Sequence, residues 1–161
     1  MRNPTQEHYL MHGDLSYITT YQAGVLQATL HRTLQKYSDE ILKPYGISKM
    51  QWLIIGSVLD YDAEGARLTD LAKTLDTTMP YITNAVNQLV SKGMLIRKEN
   101  NNDSRSKLIS IEPTFKLQCA KIEDTMRESL RRYIYADIDP ADFRTYMKVM
   151  YQLSRVDKKQ F

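Results

Sequence analysis

The chain has 161 residues, a length that suits one domain and leaves no room for a second large catalytic module. Its 42% hydrophobic and 25% charged residues exclude wholesale disorder. Its six glycines and five prolines, about 7% of the chain against a usual ~12%, favour helices over a turn-rich all-β fold. The net charge of +3 excludes no class of protein, so its placement along the chain matters more.

The sequence also bears on where the protein works. No stretch approaches the ~18 consecutive apolar residues of a membrane span, and the first eight residues lack the apolar core of a secretory signal. The single cysteine, Cys119, permits no intrachain disulfide, which suits a reducing compartment. We therefore expect a cytoplasmic protein without a membrane segment.

Two helices are predicted in the first part of the chain. The first covers Thr20–Leu42, where apolar side chains recur three and four residues apart. Pro44 and Gly46 end it, since proline disfavours helix in the residue before it and glycine suits the turn. A second helix begins after Ser48, which forms a capping box with Gln51. Its apolar positions include Trp52, Ile55 and Leu59.

A shorter helix and a longer one follow. The third helix, Asp70–Leu75, is predicted to be capped by Thr69. After a three-residue turn the fourth helix begins at Met79-Pro80, since proline is tolerated where first-turn N–H groups have no helical partner. It is expected to end near Lys92, because Gly93 suits a left-handed C-cap.

A hairpin and two further helices complete the predicted elements. Two β-capable runs, Leu95–Glu99 and Lys107–Ile111, flank an Asn/Asp-rich tip and predict a hairpin. Pro113 separates it from a long helix that ends at about Tyr135, and a last helix opens at Asp139-Pro140. The apolar positions of these helices are Phe115, Cys119, Ile122, Met126 and Tyr133, then Phe143, Met147, Met150 and Leu153. We expect one mainly α-helical domain with a small β-hairpin.

The basic charge is concentrated around the hairpin. Residues 77–107 hold five basic and two acidic side chains, a surplus equal to the +3 of the whole chain. They are Lys92, Arg97, Lys98, Arg105 and Lys107, with Glu99 and Asp103. Such a confined basic stripe is typical of proteins that bind polyanions. A solvated face with a chance imbalance would show the same charge, and the two readings stay open on charge alone.

Helix, three-residue turn, helix and hairpin follow one another in the order of a winged helix-turn-helix. At ~100° per residue, one arc of the fourth helix is apolar and must face the core: Ile82, Ala85, Val86 and Leu89. The opposite arc carries no charged residue, and its members are Pro80, Asn84, Asn87 and Ser91, flanked by Tyr81 and Gln88.

An exposed helix face without charge suits the reading of DNA bases. Asn and Gln side chains can bridge the N6 and N7 atoms of adenine, and Thr or Tyr hydroxyls suit phosphates. We expect Tyr81, Asn84 and Gln88 to contact the major groove, and Thr78 and Thr83 to contact phosphates. The open alternative is an ordinary polar surface helix.

Four short motifs lie in this part of the chain. They are Arg67-Leu68-Thr69-Asp70-Leu71-Ala72, Thr83–Leu89, Lys92–Arg97 and Asp103-Ser104-Arg105-Ser106. Together they resemble the MarR family of bacterial transcription regulators. The resemblance spans the chain from about Thr20 to Leu153 in element order, and its specific motifs are confined to residues 67–111.

The resemblance implies roles for the hairpin, the wing of the fold. Arg105 of the Asp-x-Arg motif would enter the minor groove, oriented by Asp103, because a nearby carboxylate restricts the guanidinium before binding. Lys107 would contact the DNA backbone. Two departures from the family pattern matter. Asn84 stands where the family often has arginine, which suggests A·T-leaning specificity, and Ile111–Phe115 replaces the usual Leu-Thr-x-x-Gly.

The resemblance also implies an assembly. It places a winged helix-turn-helix lobe at about 47–112 and helical dimerisation regions at 1–46 and 113–161. Two unpartnered apolar faces agree with a homodimer, namely Leu26 and Leu30 near one end and Phe143, Met147 and Met150 near the other. A monomer whose core absorbs these faces is the alternative. A twofold dimer would bind a pseudo-palindromic operator.

Many members of the family are repressors released by aromatic ligands, which bind between the dimerisation and DNA-binding lobes. The resemblance therefore implies a repressor that a small aromatic ligand releases. The candidate ligand contacts are His31, Tyr37 and Trp52. Aromatic side chains at helical spacing are also ordinary core residues, so that reading stays open beside the ligand site.

Other chemistry has little support in the sequence. Cys119 lies on an apolar stripe and is expected to be a buried hydrophobe. His8 and His12 have the spacing of a metal half-site, but no third ligand lies nearby in the sequence. No Gly-rich phosphate loop, G-x-S-x-G, H-E-x-x-H or C-x-x-C is present. We expect no enzyme activity, cofactor or metal. The competing function is a winged helix that binds a protein partner instead of DNA.

Overall fold

The computed structural model describes residues 18–61, 64–100 and 107–156 of the chain. Within them the helices are α1 (Thr20–Leu42), α2 (Lys49–Asp60), α3 (Leu68–Thr74), α4 (Met79–Ser91), α5 (Lys116–Tyr133) and α6 (Pro140–Ser154). The strands are β1 (Leu95–Glu99) and β2 (Lys107–Ile111), and short 3-10 turns occupy Lys43–Tyr45 and Pro113–Phe115. This mainly helical fold with one antiparallel hairpin is the predicted fold class, which is confirmed.

The beginnings of α1 and α2 follow from local capping. In α2 the Ser48 hydroxyl accepts from the Gln51 backbone N–H at 3.2 Å, and the Gln51 side chain accepts from the Ser48 N–H at 3.2 Å. This is the predicted capping box, which satisfies two N–H groups that the helix leaves without partners. Thr19 and Gln22 form the same box at α1. Gly46 ends the intervening turn with φ of 66°, a left-handed conformation that suits glycine.

The start of α3 differs from the prediction. The helix begins at Leu68 after an N-cap at Arg67, and no side chain caps it, so the cap predicted at Thr69 is wrong. A tertiary contact sets this boundary: Ala66 pairs with Ile109 of β2 through two backbone hydrogen bonds of 2.8 Å. The chain therefore leaves the sheet at Arg67 and enters the helix at the next residue.

The core lies between α2, α3, α4, the hairpin and the first turns of α5. On α4 the predicted apolar arc is buried, with Ile82, Val86 and Leu89 fully covered. The α5 stripe is buried from Phe115 to Met126. Two of the apolar positions lie outside this core: Leu59 is 40% exposed at the end of α2, and Tyr133 is 61% exposed because α5 extends beyond the core.

The hairpin packs one end against the core. Leu95 pairs with Ile111 and Arg97 with Ile109, and the pair nearest the tip is Glu99 with Lys107. Burial falls along β1 toward the tip, from a buried Leu95 to exposed residues at positions 97–99. The tip, residues 101–106, lies outside the described residues, and with it Asp103 and Arg105.

The apolar faces of α1 and α6 are left uncovered by the rest of the described chain. On α1 only Ser38 and Leu42 are buried, and on α6 no residue is buried. Leu26 on α1 is 41% exposed, and Met147 on α6 is 45% exposed. The described part of one protomer therefore does not absorb these faces into its core. No helix of the described residues is long and apolar enough to cross a membrane.

Candidate nucleic-acid interface

The outer face of α4 is exposed and uncharged, as the helical periodicity predicts. Asn84 is exposed, and no described residue is hydrogen-bonded to its carboxamide. Tyr81 is 48% exposed. Thr78 is the N-cap, but its side chain makes no cap hydrogen bond, and Thr83 is half-buried. The sequence therefore placed these four side chains at or near the surface of one helix, with donors and acceptors free to meet a ligand.

Gln88 has a partner that the sequence did not reveal. The Gln51 side-chain nitrogen donates to the Gln88 side-chain oxygen at 2.8 Å, although Gln51 itself is buried at the start of α2. The Lys92 ammonium donates to the Gly46 carbonyl at 2.6 Å and to the Gln51 oxygen at 3.3 Å. These contacts tie the C-terminal half of α4 to the first turn of α2. The capping box marked Gln51 as a cap only; its link to Gln88 is tertiary.

The wing is tied to α4 as well. The guanidinium of Arg97, on β1, donates to the side-chain oxygen of Asn87, on the outer face of α4. Arg97 therefore lies beside the uncharged helix face and brings a positive charge to it. Lys98, the next residue, is exposed on the other side of the strand.

Lys107 is paired within the hairpin. Its ammonium lies 2.9 Å from a carboxylate oxygen of Glu99, its direct cross-strand neighbour. This hydrogen bond, and then the positive charge of Lys107, hold the pKa of Glu99 below its usual range. Glu99 therefore stays ionised at neutral pH. Lys107, predicted to contact DNA, has an acidic competitor in the free protein.

A crevice of about 520 Å³ lies on the other side of α2, toward α5 and the end of α3. Trp52 lines it, as do Ser57 and Cys119, and its exposed lining includes Asp60, Lys116 and Glu123. The predicted ligand contacts His31 and Tyr37 are exposed on α1 and are not among its lining residues. The structure thus brings one of the three candidates to this crevice.

Cys119 is buried against this crevice, as expected for a small hydrophobe. Burial raises the pKa of its thiol to about 11, so the reactive thiolate is scarce at neutral pH. Among the described residues no group of three or more His, Cys, Asp or Glu side chains could hold a metal ion. His8 and His12 lie outside the described residues.

Comparison with known proteins agrees with the resemblance seen in the sequence. The model of the MarR family matches residues 58–107, which run from the end of α2 to the first residue of β2. The resemblance to that family is confirmed.

Solved structures of the same fold include regulators bound to DNA and to a ligand. A mutant MarR from E. coli in complex with operator DNA is 21% identical, with a TM-score of 0.72 over 81% of this chain and 91% of that one. The S. aureus MepR–DNA complex is 18% identical, with 0.71 over 86% and 99%. CouR from Rhodococcus jostii RHA1 bound to p-coumaroyl-CoA is 17% identical, with 0.74 over 84% and 93%. At these identities the likeness shows the shared fold.

Proposed function

We propose that this chain, a MarR family protein in its matched segment and in its fold, is a sequence-specific DNA-binding transcription regulator. In this proposal it acts in the cytoplasm as a homodimeric repressor and catalyses no reaction. The observation that carries the proposal is the exposed, uncharged outer face of α4 beside a basic wing. Such a face offers neutral hydrogen-bonding groups to base edges, while the cations next to it meet the phosphates.

Each predicted contact has a place in this proposal. Tyr81, Asn84 and Gln88 would read the major groove. Thr78 and Thr83 would bind phosphates, which the unbonded Thr78 hydroxyl favours. From the wing, Arg105 with Asp103 would enter the minor groove and Lys107 would contact the backbone; for the first two the support is the family's Asp-x-Arg motif.

Homodimerisation would cover the apolar faces of α1 and α6. Side chains such as Leu26, Met147 and Met150 are 41–45% exposed in one protomer, although they are apolar. Burying apolar surface stabilises association by about 25 cal/mol per Å². A twofold axis would place the two α4 helices in major grooves about one helical turn, ~34 Å, apart, which calls for a pseudo-palindromic operator.

A small aromatic effector would act through the crevice beside α2. CouR, a protein of this fold, is bound to p-coumaroyl-CoA in its crystal structure. Here Trp52 supplies an aromatic wall and Lys116 a cation beside an apolar lining. His31 and Tyr37 remain proposed contacts on α1. We expect a salicylate-like acid to lower DNA affinity and raise the melting temperature; no change in either quantity would contradict this role.

Binding of the purified protein to DNA upstream of its own gene, over a salt series, tests the proposed function. Asn84→Ala should weaken that binding by about 1–3 kcal/mol and relax specificity, and Arg105→Ala should also weaken it. Arg131→Ala, which removes an exposed cation at the end of α5, is the matched control and should change little. Binding no tighter than to random DNA would contradict the proposal and favour a protein partner, which a pull-down would seek.

Measuring transcription from the bound DNA tests whether the protein is a repressor. A reporter placed behind the bound DNA should be more active in cells that lack the protein. Lower activity in those cells would contradict the repressor assignment and indicate an activator.

A further inference from the structure

The chemistry of its partners fixes the orientation of the Gln51 carboxamide. The Ser48 backbone N–H and the Lys92 ammonium can only donate hydrogen bonds, and they approach the same Gln51 side-chain atom at 3.2 and 3.3 Å. That atom must be the oxygen. The side-chain NH₂ of Gln51 therefore points the other way, toward Gln88.

The orientation of Gln51 in turn fixes that of Gln88. The Gln51 nitrogen lies 2.8 Å from a side-chain atom of Gln88, and a nitrogen that donates needs an acceptor. The near atom of Gln88 is its carbonyl oxygen, which faces the protein, so its NH₂ is left for solvent or a ligand. Because Gln51 is buried and Lys92 is also held by the Gly46 carbonyl, the arrangement is anchored at two points.

The orientation of the Asn87 carboxamide is fixed in the same way, by a different partner that can only donate. The guanidinium of Arg97 has donors only, so the Asn87 atom that it contacts must be the oxygen. Of the three carboxamides on the outer face of α4, two thus turn their oxygens toward the protein. Asn84 has no partner among the described residues and keeps both its donor and its acceptor free.

An outward NH₂ distinguishes the two purines in the major groove. Guanine presents two acceptors there, its N7 and O6 atoms, whereas adenine presents the N7 acceptor beside an N6 donor. A carboxamide that offers only its NH₂ can donate to both guanine atoms, but it places donor against donor at adenine N6. Bridging adenine requires the oxygen and the NH₂ together on the side of the DNA, and the hydrogen bond from Gln51 turns the oxygen of Gln88 toward the protein.

We propose that Gln51 is a positioning residue for base recognition, which holds Gln88 as a hydrogen-bond donor so that Gln88 selects guanine over adenine. The inference rests on the proposed function and deepens it. It revises the adenine contact expected of Gln88, while Asn84 remains suited to adenine. A residue at the start of α2 that never touches DNA thereby sets one position of the operator.

Gln51→Glu reverses the arrangement without removing the cap. A glutamate at this position completes the Ser-x-x-Glu form of the capping box, and Lys92 is close enough to pair with it. A carboxylate can only accept, so Gln88 must turn its NH₂ inward and its oxygen outward. The outward oxygen can then accept from adenine N6.

The experiment is sequencing of the DNA that each purified protein retains from a randomised pool. Gln88→Ala identifies the base pair that depends on Gln88. At that base pair we expect the wild type to prefer guanine over adenine by about tenfold, Gln51→Glu to prefer adenine, and the isosteric but apolar Gln51→Met to discriminate weakly. Preferences at the other positions should stay the same, which a general loss of folding would not produce.

Four outcomes overturn the inference. One is a wild-type preference for adenine at the Gln88-dependent position, and another is a guanine preference that survives Gln51→Glu. If no sequence is enriched by any variant, the proposed function fails and this inference fails with it.

The fourth outcome concerns the free protein, and it separates a failure of this inference from a failure of the proposed function. NMR hydrogen exchange should show the Gln88 side-chain NH₂ unprotected in the wild type and protected in Gln51→Glu. A protected Gln88 NH₂ in the wild type would overturn the inference whatever the protein does with DNA.

Discussion

At the scale of single residues, Gly65 has the most crowded position of the glycines that the structure describes. Its φ is +83°, and a Cβ built there would lie 2.9 Å from the Ile109 carbonyl oxygen and 2.7 Å from the Ser110 hydroxyl oxygen. Gly93 also has positive φ, +68°, but a Cβ there would meet nothing within 4 Å. Comparing Gly65 with Gly93 therefore separates the cost of a left-handed backbone from the cost of a steric clash.

Alanine at these two glycines should therefore have unequal effects on stability. Gly93→Ala should lower the free energy of unfolding by about 1 kcal/mol, the cost of a left-handed non-glycine residue. Gly65→Ala should lower it by about 3 kcal/mol, since β2 must also move away from the new methyl group. Urea unfolding at one fixed protein concentration measures both. Equal losses would contradict the close approach of Gly65 to β2.

Some residues of the candidate site could be predicted from the sequence, and others could not. Helical periodicity alone placed Tyr81 and Asn84 on the exposed face of α4, because the 100° step decides which side chains leave the core. The link between Gln51 and Gln88 joins residues 37 positions apart, and no local pattern encodes it. The pairing of Lys107 with Glu99 could have been predicted from the sequence, because cross-strand neighbours follow from the hairpin register.

At the scale of elements, boundaries set by local chemistry were predictable and boundaries set by tertiary contacts were not. The extent of α1 and of both strands agrees with the sequence prediction. The ends of α4 follow from Pro80 in its first turn and from the left-handed Gly93 after it. The start of α3 depends on the bridge between Ala66 and β2, so a cap predicted from Thr69 alone was wrong.

The ion pair in the hairpin leads to a prediction about DNA affinity that is the same for every DNA sequence. Glu99→Gln removes the carboxylate 2.9 Å from Lys107 and so frees a cation for phosphates. DNA affinity should rise by about two- to tenfold for all sequences alike, and the slope of log affinity against log salt should steepen by ~0.9. Fluorescence anisotropy with specific and random DNA measures both quantities.

Glu128→Gln makes the same charge change on an exposed position of α5, away from the wing. It should leave the salt slope unchanged. An equal effect of the two variants, or weaker binding by Glu99→Gln, would show that Lys107 does not contact the DNA backbone.

At the scale of the whole molecule, the order of elements could be predicted from Thr20 onward. Which surface packs on the apolar faces of α1 and α6 could not. Amphipathic periodicity marked the apolar faces of both helices. Only the structure shows that residues 18–61, 64–100 and 107–156 leave these faces exposed, with Met150 at 41% and Leu153 at 60%. Periodicity reports that a face is apolar, but not which surface covers it.

Homodimerisation through these faces predicts a specific sensitivity to charge. Met147→Glu places a carboxylate on the apolar face of α6 and should shift the protein toward monomer at micromolar concentration. Lys148→Glu, one residue along on an exposed position, should leave the assembly intact. Sedimentation velocity measures the mass directly. A wild-type protein with the mass of one chain would contradict the dimer.

The measurement that tests the central claim most directly is the set of sequences that purified wild-type protein enriches from random double-stranded DNA. We expect one enriched sequence with twofold symmetry, its half-site centres about one helical turn, ~34 Å, apart. Loss of enrichment with Asn84→Ala would connect that sequence to the outer face of α4. Enrichment of no sequence, or of a single half-site without symmetry, would contradict a dimeric, sequence-specific regulator.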